Sequence, residues 1–379
     1  MVIAGTVKRL AWVSVAVTLV GCTSNGIDAQ GERSSSPSTP TSNLSVAGSE
    51  LNSTASPIPQ TAASSAPTAA HEVTIADAAP PVPPPPRPVT IADLVASPRP
   101  IVLAHAGGED QHPHSTPYAF AQSVKAGVDM LDLDVQLTKD GVLVVQHDDT
   151  VNRTTNSVGL IAEMTYDQIA ALDNAYWFTT NCTCTDQPAG AYILRGMRTG
   201  DIAPLAGYAA EDFIVPRFRD IVERYPLLPV NIEIKGSGDL AVGAARVLAD
   251  ELAEFNAIDR AVVSSFDDSV ISAFHEMAPT VELSPGLQAA TAWVLDSTPL
   301  PPGMRILQLP PEFNGIQVLT AETIQKSHAA GYVIWVWPND RARWESPAGY
   351  AELLAMGLDG LNINFPAAGV QAVDAFFTK

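Results

Sequence analysis

A (β/α)8 barrel with a small insertion, carried behind a disordered tether, is the fold class this sequence predicts, and three observations predict it. Apolar runs of strand length alternate with helical segments over roughly 280 residues, the pattern and size of a single barrel domain. Charged and polar residues sit at every second position in several of these strands, or close them, as the mouth of a barrel requires. Finally, residues 23–100 hold 14 of the chain's 31 prolines and no Phe, Trp or Tyr. Such a stretch cannot bury enough apolar surface to offset the entropy of ordering it. Neither a Gly-X-Gly-X-X-Gly turn nor a Walker A loop is present, which argues against the nucleotide-binding open sheets.

The elements follow in order. Residues 101–105 form a short apolar strand ending in His105, and 117–127 read as a helix opened by proline. Residues 130–138 alternate as a strand, Lys139-Asp140-Gly141 turns the chain, and 142–147 form a further strand ending in His147. Helices are expected at 165–172 and 216–225, a strand at 229–235, a helix at 240–255, a strand at 261–266 and a helix at 269–277. After a less regular region come a helix at 321–330, a strand at 332–337, a helix at 350–356 and a strand at 360–364. Residues 174–212 are long and irregular and read as an insertion on one face; the barrel domain is assigned to residues 100–379.

Residues 1–22 read as an address and an anchor. Lys8 and Arg9 precede an apolar run from Leu10 to Gly21, too short to span a bilayer. It ends in Leu19-Val20-Gly21-Cys22, similar to a bacterial lipobox, so Cys22 is the expected lipidation site and the protein is expected outside the cytoplasm, lipid-anchored to a bacterial membrane. Residues 23–99 then serve as a solvated tether, extended where Pro83-Pro84-Pro85-Pro86 cluster. Val-Thr-Ile-Ala-Asp occurs at 73–77 and again at 89–93, read as duplication within the linker. Cys182 and Cys184 can be oxidised to each other or remain free, and no chemistry is assigned to them.

Charge narrows the partners. The chain carries −20 in total; residues 1–22 contribute +2 and residues 23–99 contribute −3, so residues 100–379 hold −19. Such a domain lacks the basic surface that nucleic acid or an anionic lipid surface requires, whereas a small phosphate ester held with a metal remains open. The partners expected are thus a small-molecule substrate and, through the lipid anchor alone, a membrane.

The strand polar residues supply a chemistry. Asp132 and Asp134 share one strand face, as do Asn231, Glu233 and Lys235. Buried parallel strands are otherwise apolar, so these charges need a reason. Asp132, Asp134 and Glu233 offer hard oxygens suited to one Mg²⁺ or Ca²⁺. His105 and His147 can divide acid and base duty, and Lys235 can hold a phosphate oxygen or developing charge.

These residues stand in a recognisable order: His105-Ala106-Gly107; Pro113-His114-Ser115-Thr116 with Ala119-Phe120; Asp132-Leu-Asp134; Thr138-Lys139-Asp140-Gly141; His147-Asp148; Arg153-Thr154-Thr155; Glu233-Ile-Lys235; and Gly357-Leu-Asp359-Gly360. The chain resembles the glycerophosphodiester phosphodiesterase family over nearly all of residues 100–379. That resemblance implies a barrel enzyme that hydrolyses glycerophosphodiesters to glycerol 3-phosphate and an alcohol with one divalent metal. It places the acid–base histidines at His105 and His147, the metal carboxylates at Asp132, Asp134 and Glu233, the catalytic lysine at Lys235, and an aromatic of the substrate pocket at Trp335. Arg153 is taken as a substrate-binding residue.

Departures from the family pattern are specific. Ala106 stands where the family has an arginine phosphate contact, Asp132 replaces a glutamate, His114-Ser115 replaces Glu-Asn, and Asn364 stands at a terminal aspartate. Arg153, Arg195 or Arg217 could substitute for the missing clamp. The changed mouth also admits two other readings: a different ester, such as a lysophospholipid or a teichoic-acid-like polymer, or a binder of glycerophospho groups impaired in catalysis.

Overall fold

The structure, a computed structural model, describes residues 90–378. The anchor reading at residues 1–22, with Cys22, and the tether reading up to residue 89 lie outside the described residues. In chain order the strands of the main sheet are β1 (Ile101–Ala104), β2 (Met130–Leu137), β3 (Leu143–Val145), β4 (Val230–Ile234), β5 (Ala261–Ser264), β6 (Glu282–Leu283), β7 (Ile306–Leu309), β8 (Val333–Val336) and β9 (Gly360–Ile363). β3 folds back antiparallel on β2; the other eight run parallel in the order β6-β5-β4-β2-β1-β9-β8-β7. The strands therefore stand in chain order around a nearly closed barrel. Arg305 and Glu282 form an ion pair across the opening between β6 and β7 (Nε to Oε1 3.1 Å).

Alternation along each strand sorts the side chains into two layers. Val102, Leu131, Leu133, Ile232, Val263 and Leu361 face the surrounding helices in the main core. Their neighbours Ile101, Leu103, Met130, Val262, Ile306 and Trp335 form a separate cluster that fills the lower barrel interior. Continuing the same inward face toward the carboxyl ends gives Asp132 and Asp134 on β2, Asn231 and Glu233 on β4, and Gln308 on β7. The polar residues thus occupy the upper interior, above an apolar floor.

Below that floor lies a helix the composition did not reveal. α1 (Ile91–Val95) starts at Thr90, whose hydroxyl accepts from the Asp93 N–H at 3.1 Å in a capping box. Ile91 and Leu94 are buried against the lower cluster. Residues 90–95 therefore pack with the barrel, and Thr90, Ile91, Ala92 and Asp93 of the second Val-Thr-Ile-Ala-Asp copy belong to this capped helix rather than to linker. Burying two such side chains contributes about 1.5–3 kcal/mol each.

Helices at Pro117–Ala126 (α2), Phe218–Arg224, Gly238–Glu254, Asp268–Met277, Ala321–Ala329 and Pro347–Ala355 match the expected positions. The less regular region after residue 277 contains β6, a helix at Leu287–Asp296 and β7, and the chain closes with a helix at Pro366–Phe377. The segment between β3 and the helix at Phe218–Arg224 carries a small insertion. It has its own small core of Ala175, Phe178, Leu194, Met197 and Phe213, packed against Tyr118 of α2. A hairpin (Phe178–Thr179 with Cys182–Thr183) carries a Cys182–Cys184 disulfide, so these cysteines are oxidised to each other.

Candidate active site

The site is built from the carboxyl ends of β1, β2, β4 and β9 and the loop after β3. His105 ends β1 and starts a turn in which Ala106, Gly107 and Gly108 all adopt left-handed backbone (φ 47°, 81° and 83°). A Cβ on Gly107 would meet the Ala119 side chain at 2.8 Å, and one on Gly108 would meet Pro366 at 2.7 Å, so both positions require glycine. The turn presents His105 with Nδ1 2.7 Å from Asn364 Oδ1 and 3.4 Å from Glu109 Oε1. Burial works against its charged form, but Glu109, with Asp132 and Asp134, outweighs this and raises the imidazole to about 10.

On β2 and β4, Asp134 stands in register with Glu233 and Asp132 with Asn231. The Lys235 ammonium lies 2.9 Å from Asp134 Oδ1 and 2.8 Å from Glu233 Oε1. Asp132 accepts from Asn231 Nδ2, and Asn231 exchanges two amide hydrogen bonds with Gln308 across the interior (2.9 and 2.8 Å). Burial, with the like charge of Asp134, pushes Asp132 up to about 6, although His105 opposes it. Asp134 is also buried, yet Lys235, His147 and His105 hold its carboxyl below the usual range.

His147 follows β3, its Nδ1 2.9 Å from Asp148 Oδ1. Arg153 grips the same carboxylate through Nε and Nη2, both at 2.8 Å. Asp148 is thereby fixed as the orienting partner of His147. The Arg153 fork is thus engaged by Asp148, and its Nη1 lies 3.9 Å from Glu109 Oε2. Arg195 and Arg217 do not replace the missing clamp. The Arg195 guanidinium is caged by Tyr176, Trp177 and Tyr192 at 4.2, 4.6 and 3.8 Å, and Arg217 forks onto Asp220.

Trp335 requires a correction. It is 1 % exposed and packs in the lower cluster with Ile101 and Met130, at the floor of the barrel rather than at a substrate pocket. The mouth aromatic is Trp337, two residues further along the same strand face, edge-on to Phe266 at 6.2 Å. Strand polarity carries the signal that distinguishes them, since only the residue beyond the carboxyl end of β8 can reach the mouth.

Among the described residues no three acidic or histidine side chains are drawn together into a coordination sphere. The donor set nevertheless fits a hard divalent cation: Asp134 Oδ2 is buried and makes no hydrogen bond, Glu233 stands in register with Asp134 on the neighbouring strand, and Asp132 shares the inward face of β2.

His114, at the position of a family glutamate, is 1 % exposed, with Nδ1 unpartnered. Burial, reinforced by Arg153, pushes it down to about 3, so it is neutral. Its folded value lies below the unfolded one of about 6.5. The stability this contributes is complete above pH 6.5 and is lost progressively as pH falls toward 3. Thermal melts of His114→Gln are expected to fall less steeply than wild type between pH 6.5 and 4; parallel curves would contradict this.

Buried acids, a buried lysine and two histidines held through Nδ1 thus gather at the carboxyl mouth of a (β/α)8 barrel, the end at which barrel enzymes carry their active sites. Residues 105–368 match the glycerophosphoryl diester phosphodiesterase family, a family of phosphoric diester hydrolases, and the chain belongs to it. A glycerophosphodiester phosphodiesterase from Bacillus altitudinis is 28% identical over 275 residues, covering 71% of this chain and 96% of that protein. Among solved structures, a glycerophosphodiester phosphodiesterase from Agrobacterium tumefaciens aligns with TM-score 0.51 at 22% identity, over 72% of this chain and 99% of that one. A phosphodiesterase from Oleispira antarctica, solved with the product sn-glycerol-3-phosphate, aligns with TM-score 0.55 at 19% identity, over 74% and 99%.

Proposed function

We propose that this chain hydrolyses glycerophosphodiesters to glycerol 3-phosphate and an alcohol, at the barrel mouth and outside the cytoplasm. The observation that carries the reading is the matched pair of histidines. His105 and His147 each have Nδ1 engaged, by Asn364 and by Asp148, which leaves both Nε2 atoms for substrate. One imidazole takes the proton of the attacking oxygen, and the other gives a proton to the departing alkoxide. Lys235 is raised by Asp134 and Glu233 against its burial and stays cationic, available to a non-bridging phosphate oxygen. Asp132, Asp134 and Glu233 would hold a divalent ion, Mg²⁺ or Ca²⁺, which supplies further neutralisation of the phosphate. The lipobox-like Leu19-Val20-Gly21-Cys22 supports anchoring to a membrane through Cys22.

The test is release of glycerol 3-phosphate from glycerophosphocholine by the full chain, with EDTA and with each metal restored. Metal-restored product formation is expected; no product under any condition from folded protein would sink the reading. The aromatic edge of Trp337 and half-exposed Phe266 favours, as a second reading, an ester whose alcohol is apolar or cationic, such as a lysophospholipid. Comparing rates on acylated and unacylated esters separates the two.

A further inference from the structure

Beyond Asn364, which holds His105 Nδ1, runs a chain of contacts that the acid–base scheme does not use. Asn364 Oδ1 lies 2.7 Å from His105 Nδ1, and Asn364 Nδ2 donates to Asp110 Oδ2 at 2.9 Å. The other oxygen of Asp110 accepts from Arg341 Nη1 at 2.9 Å, and its backbone carbonyl accepts from the Asn181 N–H at 2.8 Å. Asp110 and Asn364 are both buried, at 3 % and 4 % exposure. A carboxylate has no proton to give, so the half of the Asn364 amide that faces Asp110 is the NH2. The amide oxygen must then face His105, and the imidazole nitrogen it meets must carry a proton.

We propose that Asp110, held by Arg341, is a positioning residue for His105: it fixes the Asn364 amide and, through it, the imidazole tautomer. In this arrangement Nδ1 keeps its proton whether the ring is neutral or charged, and the proton that is exchanged with substrate is the one on Nε2. Glu109 Oε1, 3.4 Å from the same Nδ1, is a second acceptor of matching sense. An inverted amide would set NH2 against Nδ1–H and drive the ring toward Glu109, away from its working position.

The activity arm of the test rests on the phosphodiesterase reading; a spectroscopic arm does not. Asp110→Asn lets the residue-110 amide donate to Asn364 Oδ1, which inverts the Asn364 amide. Asn364→Asp places two carboxylates face to face. In the double variant the residue-110 amide donates to the new carboxylate, whose second oxygen again accepts from Nδ1–H. Each single substitution in the full chain is expected to lower kcat on glycerophosphocholine by about tenfold or more, with KM within about threefold of wild type. The double variant is expected to recover to within about threefold of wild type. A purely structural role for Asp110 predicts the opposite, a double variant that loses at least the product of the two single losses, and that result would overturn the proposal. So would wild-type kcat in Asp110→Asn.

Nitrogen-15 NMR of histidine-labelled full chain, recorded at a pH where the His105 ring is neutral and with His105 identified by its absence in His105→Gln, reads the tautomer directly. A proton on Nδ1 in wild type and in the double variant is expected; a wild-type proton on Nε2 alone overturns the proposal. This arm decides even if wild type turns over no glycerophosphodiester or Asp110→Asn does not fold.

Discussion

His105→Ala and His147→Ala are each expected to lower kcat on glycerophosphocholine by about 10²- to 10⁴-fold, the range for loss of a positioned general acid or base. In the proposed scheme the two imidazoles serve one displacement at phosphorus, so removing either stalls the same event. The double variant should therefore fall only slightly below the weaker single, rather than by the product of the two losses. The environments separate the two variants in a second respect. The His147 side chain is 47% exposed, hydrogen-bonded to Asp148 and edge-on to the His114 ring, so its removal leaves a solvent-connected gap. Added imidazole should restore part of the His147→Ala rate. His105 is less exposed (31%) and is held by both Asn364 and Glu109, and rescue there should be weaker. Steady-state rates with and without imidazole check both statements, and either variant within threefold of wild type would remove that histidine from the mechanism.

Much of this site is legible in the sequence because the chemistry violates strand composition. Asp132, Asp134, Glu233 and Lys235 stand at alternate positions of otherwise apolar strands, and no apolar core explains them. The floor of the barrel is not legible in the same way. α1 follows a proline-rich stretch, and its helical character rests on a cap at Thr90 and two apolar residues that find a partner only when the barrel closes. β6 has two residues, and the helix after it carries no charge before Asp296, so neither offers a periodicity to read. Asp110 and Arg341 are separated by 231 positions, and only the closure of β8 and β9 onto β1 brings them to Asn364. Asp148 lies beside His147 in the chain, yet its role depends on which way the loop turns after β3. The charged strand faces announce themselves locally, whereas orienting partners are products of the assembled mouth.

Trp335→Ala is expected to cost about 3–5 kcal/mol of stability, the range for emptying a large aromatic site in a packed core. The indole lies against Gly360, where a Cβ would fall 2.7 Å from Trp335 Cδ1 and 2.9 Å from Ile101 Cγ1. The ring therefore fills the space that the absent side chain leaves, and no neighbour can collapse into it without moving β1, β8 and β9 together. Denaturant midpoints read this loss, and kcat/KM of the folded fraction should stay near wild type. Trp337→Ala should behave in the opposite way. Its indole N–H donates to the Gln308 carbonyl at 3.2 Å, and its ring edge meets Phe266 just beyond the carboxyl end of β8. A loss of about tenfold in kcat/KM, about 1.4 kcal/mol, with little change in midpoint is expected there. Reversal of the pattern, with Trp335→Ala stable but impaired in KM, would return the substrate-pocket role to Trp335. Two tryptophans on one face of one strand thus perform separate tasks, decided by which end of the barrel each one reaches.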